Sequence, residues 1–201
     1  MSQKAEQKEK SHAAILASAA ALLRERGIRA SSVADVMRGA GLTVGGFYGH
    51  FESKEDLFAE TIRSEASALW DRALESAKGN TPRARALHVF KQYTSRAHRD
   101  NPDKGCLLPS AAAEIAREGE PYRGAMAAEL GGFVRSLASL LREEWSEGGG
   151  GAGPEHRDEA LALFALMFGA LSISRVVAGT PLSDDFLRAA RKLAERVLAE
   201  G

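Results

Sequence analysis

The chain reads as an all-α protein. Three observations carry this. Apolar residues recur at helical spacing in nearly every segment, sustained alternation is absent, and helix start signals stand at regular intervals along the 201 residues. About nine helices are expected. They are expected to divide into a three-helix N-terminal part over 1–52 and a helical C-terminal part over 53–201.

The elements follow in order. From Lys10 the positions Ile15, Ala19, Leu22 and Leu23 fall on one face, and Gly27 stops that helix. Ser32-Val-Ala-Asp35 has capping-box spacing with Asp in place of Glu, and opens a short helix over 33–39 that buries Val33, Val36 and Met37. Ala40-Gly41-Leu42 makes a tight turn. Thr43 is placed to cap a third helix, from 44 to about 50. Ser53-Lys-Glu-Asp56 repeats the capping-box spacing and starts a long helix to about 78. Thr81-Pro82 gives an N-cap followed by proline at the first helical position, for a helix carrying Leu87, Phe90 and Tyr93 and ending before Pro102. Further helices are expected from about 106 to 117, from 121 to about 147, from 154 to near 179, and from 183 to about 199. A glycine-rich stretch over 146–154 is expected to be a flexible loop.

Composition limits the function. Lys+Arg and Asp+Glu both number 27, so net charge is zero and a generally basic nucleic-acid coat is excluded. A local bias remains: up to Glu52 there are seven Lys/Arg against five Asp/Glu. The single cysteine, Cys106, allows no internal disulfide. The start is charged and lacks a signal-peptide apolar core, and the longest uncharged apolar run, 160–174, is short for a membrane span. A soluble cytoplasmic protein is expected. An enzyme finds little support. No metal-spaced cluster, no nucleophile–base signal and no cofactor motif occur; His88, His98 and His156 are scattered; and the glycines at 148–151 lack the Lys-Ser/Thr of a phosphate loop. No cofactor is expected.

The segment LTVGGFYGHFESKEDLF, residues 42–58, keeps Gly45, Gly46 and Gly49 around an aromatic pair, although each glycine weakens a helix by roughly 1 kcal/mol relative to alanine. The short helix 32–39, the glycine turn and the helix from Thr43 form a helix-turn-helix, whose second helix enters the DNA major groove. Small residues at Gly45 and Gly46 permit close approach of the backbone to DNA. Phe47 faces the protein, Tyr48 and His50 reach phosphates or bases, and Lys54 in the first turn of the next helix makes a phosphate site.

These residues, from Ser32 to Phe58, resemble the TetR family of bacterial transcriptional regulators. The short capped helix, the Ala-Gly turn, the Gly-Phe-Tyr-x-His-Phe run and the following x-x-Lys-x-x-Leu are all present. The resemblance covers roughly the first 60 residues; beyond them it rests on helix pattern and on the runs at 105–108 and 168–175. It implies a homodimeric repressor, paired through its last two helices, that binds a palindromic double-stranded operator and is released by a small-molecule effector. By matching positions it implies Thr43, Val44 and Gly45 near base edges. It places Tyr48, His50 and Lys54 on phosphates, and Ser31 or Ser32 with Arg38 on the flanking backbone. The stretch Thr-Val-Gly-Gly is nearly bare of hydrogen-bonding groups, which points to thymine methyl contacts or shape readout.

Phe90, Tyr93, Met126, Phe133, Phe164, Met167 and Phe168 lie at core spacing, and some of them, together with Cys106, are expected to line an apolar effector cavity. Cys106, after Gly105 and near Lys104 at a predicted helix start, has two readings: an activated thiol that senses electrophiles or oxidants, or a small buried hydrophobe. Arg175 interrupts the most apolar helix, and has either Glu114 as partner or a place in water at the dimer edge. That helix is too apolar for a thin helical layer to bury alone, which calls for a partner's helices.

Overall fold

The computed structural model describes residues 3–142 and 154–199. Among these, nine α-helices and one 3-10 segment occur, and no strand. The glycine-rich stretch before Pro154 lies outside the described residues. The chain divides into two compact units, Met1–Ala68 with Cys106–Glu129, and Leu69–Gly105 with Leu130–Gly201.

In the first unit, α1 (Gln3–Arg26) buries Ile15, Ala19 and Leu23. It ends at Gly27, whose φ of 82° takes the left-handed conformation that glycine accepts without strain. α2 (Val33–Gly39) starts on the expected capping box: Ser32 Oγ accepts from Asp35 N at 3.1 Å, and the Asp35 carboxylate accepts from Ser32 N at 3.4 Å. Val36 and Met37 are fully buried. Gly41, at φ 70°, makes the turn. The segment Val44–Gly49 is a 3-10 helix rather than an α-helix. Thr43 stands at its N-cap without making a side-chain cap bond, so the expected Thr43 cap is not formed. Phe47 and Phe51 stack at 5.8 Å and are buried beside Leu57 and Phe58.

α3 (Lys54–Glu75) begins on half of the expected box. Ser53 Oγ accepts from Asp56 N at 3.0 Å, while the Asp56 carboxylate accepts from Glu52 N rather than Ser53 N. α6 (Leu108–Glu118) opens two residues after Cys106, with Pro109 in its first turn, and buries Leu108, Ala111 and Ile115. α7 (Tyr122–Arg142) follows.

In the second unit, α4 (Pro82–Tyr93) takes Thr81 as its cap, with Ala84 N donating at 3.1 Å. The expected single helix up to Pro102 is broken. Ser95 caps a separate α5 (Arg96–Asp100) by accepting from His98 N at 3.1 Å, and this competes with continuation of α4. α8 (Pro154–Val176) and α9 (Pro181–Ala199) complete the unit, with Leu163, Met167, Leu171, Leu187, Ala190 and Ala194 in its core. The 21-residue stretch His156–Val176 is long and apolar enough to cross a membrane by composition. Its helix packs on α9, α4 and α5.

Candidate nucleic-acid interface

The head of the first unit presents one face built from the 3-10 segment and its flanks. Thr43, Gly45 and Gly46 are exposed, Val44 is 49% exposed and Tyr48 is 77% exposed. An aromatic ring that open to water, next to an exposed valine, is not held there by core packing. Phe47 lies 1% exposed beneath it, so the segment is anchored from behind while its outer face stays bare. A Cβ added at Gly45 or Gly49 would meet no atom within 4 Å, and one at Gly46 would touch only Met37 Cε at 3.8 Å. None of the three has a positive φ. Neither packing nor backbone conformation within the fold therefore demands glycine at these positions.

The flanking residues divide. Ser32 is exposed but engaged in the cap, its hydroxyl 2.7 Å from Asp35 Oδ2. Ser31 corrects the sequence expectation: it is fully buried, and its hydroxyl donates to Gly27 O at 2.6 Å, so its side chain faces inward. Arg38 is exposed and paired with Asp35 on the same helix. The Ser32 and Arg38 contacts keep the Asp35 carboxyl below its usual range, the Ser32 hydrogen bonds leading. Lys54 reaches back to Arg29 O at 3.4 Å, with its ammonium 5.8 Å from the centre of the Phe58 ring. An ammonium held by a carbonyl and a ring has no opposite charge against it among the described residues.

His50 closes the 3-10 segment and is half-buried, with Nδ1 finding no acceptor or donor among the described residues. Its ring lies 5.7 Å from that of His12, which itself stacks on Phe51 at 4.7 Å and meets Glu60 at 2.6 Å. Burial, then the neighbouring His12 and Lys8, push the His50 pKa down.

Behind the head, the Glu114 carboxylate of α6 accepts from two successive backbone groups, Ile28 N and Arg29 N, both at 2.7 Å. A Cβ at Gly27 would collide with that carboxylate. This corrects the expectation that Glu114 partners Arg175. In the second unit the half-buried Arg175 instead donates to His98 O at 2.7 Å and Arg99 O at 3.2 Å, both backbone carbonyls at the end of α5. Helix-end carbonyls lack partners within the helix, so a guanidinium satisfies them well.

The residues expected to line an effector cavity are distributed over both units. Cys106 and Met126 are buried in the first. In the second, Phe90 and Met167 are buried in the core, and Tyr93 lines a cavity with Trp70. Phe133 and Phe164 pack on the Trp70 ring at 4.3 and 5.7 Å, and Phe168 stacks on Phe164 at 6.3 Å. The sequence reading missed Trp70, His98 and Lys104, which share that cavity. Trp70 carried a usable signal, as a large apolar residue in phase with Ile62 and Ala66 on α3; His98 and Lys104 carried none. Among the described residues no cluster of three or more His, Cys, Asp or Glu side chains could hold a metal ion.

A buried aromatic anchor under a bare, glycine-bearing segment, preceded by a capped helix and a glycine turn, defines a helix-turn-helix DNA-binding regulator. The profile of bacterial regulatory proteins of the tetR family matches residues 15–61, and that of the tetracyclin repressor-like C-terminal domain matches residues 82–190. The chain belongs to the TetR family. It is similar to the HTH-type transcriptional repressor KstR2 of Mycobacterium tuberculosis, 43% identical over 58 residues, which is 29% of each chain. It is also similar to the HTH-type transcriptional repressor NemR of Escherichia coli K12, 27% identical over 130 residues, 63% of this chain and 65% of that one. The aligned stretches thus span under two thirds of these relatives' lengths. Among solved structures, the reduced form of Escherichia coli NemR superposes with a TM-score of 0.76 at 24% identity, over 92% of this chain and 96% of that one. A TetR regulator from Chloroflexus aurantiacus superposes with a TM-score of 0.79 at 21% identity, over 96% of each chain. At these identities the superpositions speak to fold alone.

Proposed function

We propose that the protein is a cytoplasmic transcriptional repressor that binds a palindromic operator as a homodimer and is released by a small-molecule effector. Residues 1–52 act as the reading head and residues 53–201 as the effector-binding and dimerisation part. The observation that carries this reading is the outer face of the 3-10 segment, where Gly45 and Gly49 have no reason within the fold to lack a side chain. A duplex surface approaching that face supplies the reason. Thr43 and Val44 then meet base edges with a hydroxyl and methyl groups, in a groove where thymine presents a methyl. Tyr48, His50 and Lys54 lie toward the phosphates, with Ser32 and Arg38 beside the flanking strand.

Pairing of two chains is supported by the outer faces of the last two helices. Leu161, Ile173 and Val176 on α8, and Leu182, Leu193 and Val197 on α9, are 39% exposed or more. Ala165, Leu166, Gly169 and Ile173 line an apolar groove of about 340 Å³ against Phe186 and Leu193. A two-fold contact between such faces buries both copies at once. It also accounts for the apolar composition of α8 without a membrane. The effector acts by preferring one arrangement of the helix that follows Lys54, a coupling typically of about 1–3 kcal/mol.

The deciding experiment is a footprint of the purified protein on DNA flanking its own gene at physiological salt, followed by selection from random duplexes. Protection of an inverted repeat is expected. Salt-sensitive smearing with no sequence enriched by selection would end the reading.

A second reading, in which Cys106 makes the repressor responsive to oxidants or electrophiles, draws support from the similarity to a regulator crystallised in a reduced form. Cys106 is 3% exposed, so the thiol must be uncovered before it reacts. Cys106→Ser is expected to bind operator normally and lose any response to a thiol-reactive agent. A response kept by that variant would remove this reading.

A further inference from the structure

In the first unit, α1 begins well before it has a core to pack on. Residues Gln3–Lys10 are each exposed, and the first side chain that the helix buries is Ile15. These residues also lie ahead of the stretch 15–61 that the family profile matches. At about 1.5 Å per residue this is roughly 12 Å of helix that buries no apolar face. So short a stretch is marginal as a helix by itself, and packing within the fold gives no reason for it.

Its charges are sorted by side. Lys4, Lys8 and His12 are spaced by four and follow one side of α1. Glu6 and Lys10 stand two positions either side of Lys8, which puts them on the opposite side, where they pair with each other at 2.8 Å. Glu9 is turned about 100° from Lys8. Neither Lys4 nor Lys8 has a carboxylate partner among the described residues. The His12 end of this side joins the 3-10 segment. The His12 ring stacks on Phe51 at 4.7 Å and lies 5.7 Å from the His50 ring, and its Nε2 takes up Glu60 of α3 at 2.6 Å. Lys8, one turn before His12, acts on the His50 imidazole through its charge, after burial and His12. The two lysines therefore prolong the proposed interface from its His50 edge onto α1.

We propose that Lys4 and Lys8 bind the phosphate backbone of the duplex, carrying the nucleic-acid interface from His50 onto the first two turns of α1. A row of unpaired like charges calls for a polyanion, and duplex DNA offers one negative charge per roughly 1.7 Å of its axis. Such contacts position the protein and add affinity for every sequence, without reading bases. The assignment rests on the DNA-binding reading above and widens its contact surface.

The test uses the full chain and two duplexes, the operator found by selection and a random-sequence duplex of the same length. Affinity is followed by fluorescence anisotropy over a series of salt concentrations. In the double variant Lys4→Ala, Lys8→Ala the slope of log affinity against log salt is expected to fall by about two on both duplexes. Affinity at low salt should drop about tenfold or more, with the preference for operator unchanged. Lys8→Arg should keep the slope of the unsubstituted chain. Lys10→Ala, which removes the same charge from the opposite side, should keep it too. All three positions are exposed, so the thermal midpoint is expected to stay where it is. An unaltered slope in the double variant, an equal loss in Lys10→Ala, or lysine-dependent binding to phosphatidylglycerol vesicles with no change on DNA each overturns the proposal. The unsubstituted chain keeps the two readings separate. Failure to bind either duplex removes the regulator and this contact with it, whereas operator binding with an unaltered slope in the double variant removes only the α1 contact.

Discussion

Gly45 is the residue at which fold and function make different demands. Its backbone is not left-handed, and a methyl group there meets open space, so the folded protein accepts alanine. Gly45→Ala is expected to leave the thermal midpoint unchanged, or to stabilise by up to about 1 kcal/mol through lower chain entropy. The same change should weaken operator binding at least tenfold in a footprint titration, because the methyl stands between backbone and bases. Undiminished DNA affinity would sink the close-approach argument. Lys54 makes the complementary case. Its ammonium is held by Arg29 O and the Phe58 ring, with no carboxylate partner among the described residues. Lys54→Ala should weaken binding to all sequences alike and lower the salt slope by about one. A change in sequence preference alone would contradict a phosphate role.

Among the elements, α6 holds the turn between α1 and α2 chiefly through the Glu114 carboxylate, with Glu118 pairing with the Arg29 side chain at 3.3 Å. Two charge-assisted bonds from Glu114 fix Ile28 N and Arg29 N, and Gly27 leaves the space for it. Glu114→Ala is expected to cost about 2 kcal/mol in urea unfolding and to expose those two amides to hydrogen exchange. Protection that survives the substitution would show that the turn stands without α6. The end of α5 behaves differently, because burial there disfavours the charged form of the His98 imidazole. The His98 pKa is lowered in the folded state, so the unfolded chain binds its proton more readily. The stability His98 confers is full above its unfolded pKa of about 6.5 and is lost as pH falls through the lower folded value. His98→Gln should flatten thermal midpoints between pH 8 and pH 5; an unchanged slope would assign the pH dependence to another group.

For the whole molecule, the proposed pairing rests on the exposed apolar faces of α8 and α9. Ile173 and Leu193 are 43% and 40% exposed and line the groove between these helices. A glutamate at either position brings a charge from each copy into the apolar surface of the proposed two-fold contact. Leu193→Glu is therefore expected to halve the mass measured by light scattering and to abolish protection of an inverted repeat. A variant that remains dimeric would place the interface elsewhere.

Much of the fold was legible because its signals are local. The capping pairs Ser32/Asp35 and Thr81/Ala84, the glycine stop at Gly27 and the turn at Gly41 each involve residues within four positions, and each stands as the spacing predicts. The head was legible for the same reason, down to Phe47 buried beneath an exposed Tyr48. What the tertiary structure alone decided depends on residues far apart in sequence. The break at Ser95 is the exception, a local cap three positions long that the sequence reading passed over: its hydroxyl accepts from His98 N and opens α5 where α4 was expected to continue. Arg175 meets two backbone carbonyls about 76 positions away, and Glu114 meets two backbone amides about 85 away, partners that carry no side-chain signature. Trp70, His98 and Lys104 share a cavity through packing, which periodicity does not encode. Local sequence determined the helices and the exposed glycine-bearing segment; packing chose which of their polar groups and aromatic faces came together.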